Sequence, residues 1–328
     1  MRSFLLAITL LPFGTAQITV PEKTVTYGRS FANLPVPTFD KGYLIAINRP
    51  NGLEVWGPDG QLVFRTALAD PPSALVTSVA IDTGGTGGTG GTVAVGFSYS
   101  IPQGYAGGIA FLDRSGKQIR KIDTARYLPS HLCFDKNHRL WTFGFQRDAV
   151  RNETEDREDY LLFRQYSSDG RPLGAFISRS LFPKPGLSPG GSSGGLWRIR
   201  AMDDRIGALA NAGSSGVERE WIEITLEGQL IGHWKMGPNP MFGTAALAKL
   251  GVCEQVVENR VPRVDCLDRE TGTWKALSNR LAGTDGRPLG NLLGADGDSL
   301  VFSQDHGNTR LIYVKIPAKT EFSHAERP

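Results

Sequence analysis

Apolar and polar positions alternate along this chain in short runs, and the alternation recurs. GLEVWGPDGQLVFR, residues 52 to 65, is an apolar run, a turn at Asp59-Gly60 and a second apolar run, which is the pattern of a β-hairpin. The phrase returns in GGIAFLDRSGKQIRKI around Ser115-Gly116, in DYLLFRQYSSDGRPLGAFI around Asp169-Gly170, in EWIEITLEGQLIGHW around Glu227-Gly228 and in RVDCLDRETGTWKAL around Thr271-Gly272. The turn glycines at 60, 116, 170, 228 and 272 are spaced by roughly 44 to 58 residues, a period that marks a repeat architecture.

A second phrase stands upstream of each hairpin. An apolar residue followed by Asp occurs at Phe39-Asp40, Ile81-Asp82, Phe134-Asp135, Met202-Asp203 and Ala295-Asp296, and a strand such as YLIAIN, TVAVGFS, RLWTFGF, RIGALAN or SLVFS follows. In the fifth unit the phrase is reduced to Leu250-Gly251. A short Asp side chain accepts hydrogen bonds from the backbone of a tight turn, so these residues are read as turn chemistry before catalysis.

Each unit therefore reads as four strands, A to D, with an Asp turn between A and B and a Gly turn between C and D. Four-stranded antiparallel units repeated around a ring predict an all-β fold, a six-bladed β-propeller. The sixth unit supplies SLVFS and RLIYVKI and ends near Pro317 without a fourth strand. ITVPEKTVTY, residues 18 to 27, is expected to fill that place and close the ring, because an open outer blade would expose unpaired backbone groups. One stretch departs from the pattern: TAALAKL, 244 to 250, has a composition suited to a short helix.

FDKNHRLWTFG, 134 to 144, together with the hairpins around the turn glycines, resembles the six-bladed propellers of the NHL-repeat and gluconolactonase-like superfamily across nearly the whole chain after residue 16. The resemblance implies a divalent metal at the mouth of the central channel, held by carboxylates and an Asn near the starts of inner strands. The positions here that would project there are Leu34, Thr77, His131, Trp197, Gly243 and Asn291, of which Asn291 and His131 are ligand types. That set departs from the family's pattern, so no metal ligand or catalytic residue is assigned, and a metal-dependent lactonase-like hydrolase stands as the alternative function.

Because strands alternate in direction, the A-to-B and C-to-D turns share one end of the ring and the B-to-C and D-to-A connections share the other. The second end carries the long segments 98–108, 146–159, 182–195 and 211–219. Long loops on a rigid scaffold are where binding groups gather. The reading is thus a binding or interaction module for a protein or glycan partner, with Arg49, Tyr105, His131, Arg147, Trp197, Asn291 and His306 as candidate ligand-binding residues. The same loops also fit solvated spacers: 146–159 holds three Arg against six acidic residues, the composition of a charged flap. DTGGTGGTGGTV, 82 to 93, lies at the opposite end and lacks GxxxxGK[ST], so it is read as a loop without phosphate chemistry.

Composition narrows the classes further. With 328 residues and 40% hydrophobic content the chain can bury a large core, and 40 Gly with 20 Pro suit many tight turns. The balance of 36 basic against 33 acidic residues, with no Lys/Arg block, argues against nucleic acid. MRSFLLAITLLPFGTAQ has a positive flank at Arg2, an apolar stretch from Phe4 to Phe13 and small residues at Gly14 and Ala16, the features of a cleaved signal peptide over 1–16. The mature chain, 17–328, is then expected as a single propeller domain, exported to a periplasmic or extracellular space, monomeric and without a transmembrane anchor. The five histidines show no HExxH spacing, no GxSxG occurs, and Trp141, Trp197, Trp221 and Trp234 fall at strand positions suited to packing between blades.

Cys253 and Cys266 flank the hairpin VCEQVVENRVPRVDCL. Counting outward from a two-residue turn at Asn259-Arg260 pairs 258 with 261 and then 253 with 266, as a non-hydrogen-bonded pair whose side chains approach closely. A cross-strand disulfide is expected, with Cys133 left free and buried; the alternative is three free cysteines packed as small hydrophobes.

Overall fold

The computed structural model describes residues 22–31, 38–48, 50–68, 71, 73–84, 91–102, 104–146, 160–181, 199–212, 218–236, 240–247, 250–258, 261–278 and 288–316. Strand β1 (Lys23–Thr26) comes first in the chain. Blade 1 follows as β2 (Thr38–Asp40), β3 (Tyr43–Asn48), β4 (Gly52–Trp56) and β5 (Leu62–Ala67). Blade 2 is β6 (Leu75–Asp82), β7 (Thr92–Ile101), β8 (Gly104–Leu112) and β9 (Gln118–Ala125), and blade 3 is β10 (Tyr127–Phe134), β11 (Leu140–Gln146), β12 (Leu161–Tyr166) and β13 (Pro172–Ser178). Blade 4 is β14 (Ile199–Ala201), β15 (Arg205–Ala212), β16 (Glu218–Thr225) and β17 (Leu230–Lys235). Blade 5 is β18 (Pro240–Leu247), β19 (Gly251–Glu258), β20 (Val261–Asp268) and β21 (Thr273–Ser278). The last blade takes β22 (Asn291–Asp296), β23 (Ser299–His306) and β24 (Asn308–Lys315) from the end of the chain and β1 from its beginning, in the order β22-β23-β24-β1.

The protein is a six-bladed β-propeller. Every pairing is antiparallel, and β1 closes the ring by pairing Val25 with Leu311 and Lys23 with Tyr313 on β24. The inner strands touch one another in cyclic order, β2 to β6 to β10 to β14 to β18 to β22 and back to β2. The stretch whose composition suits a helix is strand through Leu247: β18 pairs Ala245 with Cys253 and Leu247 with Gly251. Pairing with β19 and burial of Ala245 between blades outweigh the local helical preference of Ala and Leu, which is worth only tenths of a kcal/mol per residue.

Among the described residues the core divides into six apolar clusters, one in each cleft between neighbouring blades. Alternate residues of one strand serve opposite clefts. On β23, Leu300 and Phe302 pack toward blade 5 while Val301 packs toward blade 1. Both faces of each blade are thus buried, which explains continuous apolar runs such as VAVGF, and each fully buried Leu or Phe contributes roughly 1.5–3 kcal/mol. Trp141 and Trp221 lie wholly buried in two of these clefts, and each indole N–H donates to a buried carboxylate, Trp141 to Asp135 at 3.0 Å and Trp221 to Glu223 at 2.9 Å.

The two repeated phrases have structural duties between blades as well as within them. The turn glycines 60, 116, 170, 228 and 272 all have positive φ, and each sits on the outermost strand of the preceding blade: beside Thr26, Phe64, Ile122, Phe176 and Trp234. The Asp residues divide. Asp135 caps its own turn through the N–H groups of Asn137 and Arg139, at 2.8 and 3.0 Å. Asp40 instead reaches the next blade, where its Oδ2 accepts the N–H of Ile81 at 2.8 Å, and Asp82 does both, accepting the Gly84 N–H of its own turn at 3.2 Å and meeting His138 Nδ1 of the third blade at 2.8 Å.

Candidate functional site

The strand directions place the B-to-C hairpins and the starts of the inner strands at one end of the channel. Tyr105 opens β8 opposite Ser100 and is 45% exposed; Asn291 opens β22 opposite Ser303; His306 ends β23 opposite Asn308. These three belong to the same end of the ring. His131 lies deeper, midway along β10 and opposite Phe143. Arg49, Arg147, Trp197 and Leu34 fall outside the described residues, as do 147–159, 182–198 and 213–217.

Partway along the channel the inner strands press on one another. Thr77 Oγ1 donates to Pro129 O at 2.7 Å, from blade 2 to blade 3. A Cβ on Gly243 would meet the carbonyl oxygen of Leu292 at 1.6 Å, so blades 5 and 6 touch backbone to backbone there. Register slips at bulges in β6 and β10, between Val76 and Ser78 and between Pro129 and His131, and again in β18 and β22. Bulges of this kind bend a strand and re-aim its side chains. Among the described residues no group of three or more His, Cys, Asp or Glu comes together in a way that would hold a metal ion.

The opposite end of the channel, where the A-to-B turns lie, holds a cavity of about 180 Å³. Its walls are the ends of inner strands from five blades, and they bring together Asp40, Lys41, Cys133, Arg200 and Asp296 beside Phe39 and Phe134. Arg200 extends from β14 across the channel. Its Nε donates to Thr244 O at 3.2 Å, and its Nη2 donates to the same oxygen and to Leu293 O at 2.9 Å, tying blade 4 to blades 5 and 6.

Burial dominates the electrostatics of this end. It lowers the pKa of Arg200 to about 10 against the opposing pull of Asp40 and the Cys133 sulfur. It raises Asp40 above the usual carboxylate range, with Lys41, the Ile81 N–H and Arg200 acting in the other direction. The Cys133 thiol is pushed up by the same cause and stays protonated and inert. Lys41, held at φ 47 in the turn, places its ammonium 5.8 Å from the centre of the Phe134 ring. Among the described residues Lys41 Nζ and the Asp296 carboxylate have no hydrogen bond or ion pair, and Asp40 uses only Oδ2.

Sequence reasoning placed its candidate residues at the long-loop end and did not single out this cavity. Asp40 was visible only as one of the repeated turn residues. The available signal was Arg200 itself, a charged residue between Ile199 and Ala201 in the inner strand, where the equivalent positions of other blades are apolar or small.

Several solved structures are similar to this chain. A protein from Bacteroides fragilis described as a candidate exported protein superposes with a TM-score of 0.50 at 10% identity, over 90% of this chain and 94% of its own. A glucose dehydrogenase matches with a TM-score of 0.49 at 14% identity, over 90% and 100%. A luciferin-regenerating enzyme matches with a TM-score of 0.46 at 11% identity, over 92% and 99%. No protein-family model and no curated protein matches the chain. At these identities the likeness is one of architecture, which leaves function to the residues.

Proposed function

We propose that the protein is an exported binding module whose long-loop end engages a protein or glycan partner. The observation that carries the reading is the asymmetry of the two ends. Connections at the cavity end are mostly tight: residues 41–42 alone join β2 to β3, and the C-to-D turns are packed onto the preceding blade. At the other end the connections 147–160 and 182–198 are several times longer. A rigid ring with length concentrated at one end presents variable contact surface there.

Blade 2 adds an anchor. Strands β7 and β8, of 10 and 9 residues, are the longest among the described elements. At about 3.3 Å per residue their hairpin extends the blade by several ångströms. It carries Tyr105, exposed, and Tyr99, whose ring lies 6.0 Å from that of Phe97. Exposed tyrosine on a rigid hairpin is a common centre of recognition energy. Export is supported by the signal-like residues 1–16 and by a cystine in blade 5, and no described helix is long and apolar enough to cross a membrane.

The test is binding of the mature chain to a glycan array and to candidate extracellular proteins, compared with Tyr105→Ala. A ligand retained by the native chain and weakened about tenfold or more by the substitution supports the proposal. Metal analysis of the same sample addresses the hydrolase alternative. One Ca, Mg or Zn per chain, lost in Asn291→Ala and accompanied by lactone hydrolysis, would overturn the binding reading.

A further inference from the structure

The cavity at the tight-turn end is separate from the long-loop end, and side chains of both charge signs line it. Asp40 and Asp296 come from adjoining blades 1 and 6, respectively, Lys41 from the turn beside Asp40, and Arg200 from across the channel. Lys41 and Asp296 stand exposed at the cavity's rim, whereas Asp40 is half-buried and uses only Oδ2 in a hydrogen bond. None of the three forms a direct ion pair among the described residues, although Lys41 and Arg200 act on Asp40 through space.

We propose that this cavity binds a small zwitterion of amino-acid type, its ammonium facing Asp40 Oδ1 and Asp296 and its carboxylate facing Lys41, with the positive charge of Arg200 behind it. A lone cation would meet Arg200 and Lys41, and a lone anion would meet Asp40 and Asp296; a molecule bearing both charges satisfies both sets. The apolar faces of Phe39, Phe134 and Ile199 offer contact to a short aliphatic side chain. The size agrees: about 180 Å³ lies below the roughly 300–1,000 Å³ of pockets for drug-sized ligands, so the occupant is small. The raised pKa of Asp40 points the same way, since a bound ammonium would relieve the cost of ionising that carboxyl.

The experiment is calorimetric titration of the mature chain with glycine and alanine, beside acetate and methylammonium as half-ligands and tryptophan as an oversized one. The expected result is saturable binding of the small zwitterions, with each half-ligand at least about tenfold weaker and tryptophan excluded. Lys41→Gln and Asp296→Asn, both at exposed positions, should each weaken binding by about tenfold while leaving the melting temperature of the free protein unchanged. Acetate or methylammonium binding as tightly as alanine would overturn the proposal. So would zwitterion binding that survives in Lys41→Gln, or no binding at millimolar concentration, which would make the cavity a water-filled vestibule.

Discussion

A Cβ placed on Gly228 would lie 1.9 Å from Cδ1 of Phe176, on the outer strand of the blade before it. Gly228 also has φ +87, so its lack of a side chain answers two demands, one of backbone conformation and one of space. Gly228→Ala should therefore lose stability by about 2–4 kcal/mol, from strain at positive φ plus displacement of a packed ring. Gly297→Ala, at φ +57 with nothing within 4 Å of the added atom, carries the conformational cost alone and should lose about 1 kcal/mol. Urea denaturation of the two variants measures the difference; equal losses would show that the contact with Phe176 contributes nothing.

The same turn in blade 1 rests on the strand that closes the ring. Gly60 approaches Thr26 O, and β1 also buries Val25, while Tyr27 just beyond it is fully buried against the sixth and first blades. Deleting residues 17–28 should strip the edge of β24 and open this cleft together, lowering the melting temperature by many degrees and promoting aggregation through the bared edge. Thermal melting with light scattering is the check, and a truncated chain that melts like the native one would refute the role given to β1.

The ring was legible in the sequence because its two recurring phrases are constrained by contacts that repeat. Each turn glycine must pass the preceding blade, and each strand must be apolar on both sides to fill two clefts. TAALAKL misled because a seven-residue window reports local preference, while the β18–β19 pairing and the cleft between blades 5 and 6 are formed by residues outside it. Arg200 was not legible as a tie between three blades, since its acceptors at Thr244 and Leu293 are distant in sequence and offer only backbone oxygens. Gly243 likewise looks like any strand glycine until Leu292 O is seen against it.

Asp40 should make stability depend on pH in an unusual direction. Burial raises its folded pKa above the ordinary aspartate range, so between the unfolded and folded values the folded protein holds a proton that the unfolded chain has released. Stability contributed by this group is present at low pH, falls as pH rises through that window and is constant above it. Asp40→Asn keeps an oxygen to accept the Ile81 N–H and removes the ionisation. Urea midpoints across the acid range should show a flatter fall for the variant and a native-like or higher stability at neutral pH; a variant that is much less stable at neutral pH would show that the ionised carboxylate is favourable there.

Cys253 and Cys266 stand directly opposite one another on β19 and β20 and are joined as a disulfide, while Cys133 is free and buried in β10. The bridge spans 13 positions of chain and lies fully buried in the cleft between blades 5 and 6. Closing a loop of this length removes conformational freedom from the unfolded chain, worth about 3 kcal/mol in the chain-entropy account. Protein recovered from an oxidising compartment should therefore give one reactive thiol when denatured without reductant and three after reduction. The double variant Cys253→Ala/Cys266→Ala should unfold at lower urea by an amount corresponding to about 3 kcal/mol, less whatever strain the bridge carries in the folded state. Three thiols before reduction, in protein recovered from such a compartment, would show that the pair packs in the cleft as reduced side chains and that the hairpin is held by its backbone ladder alone.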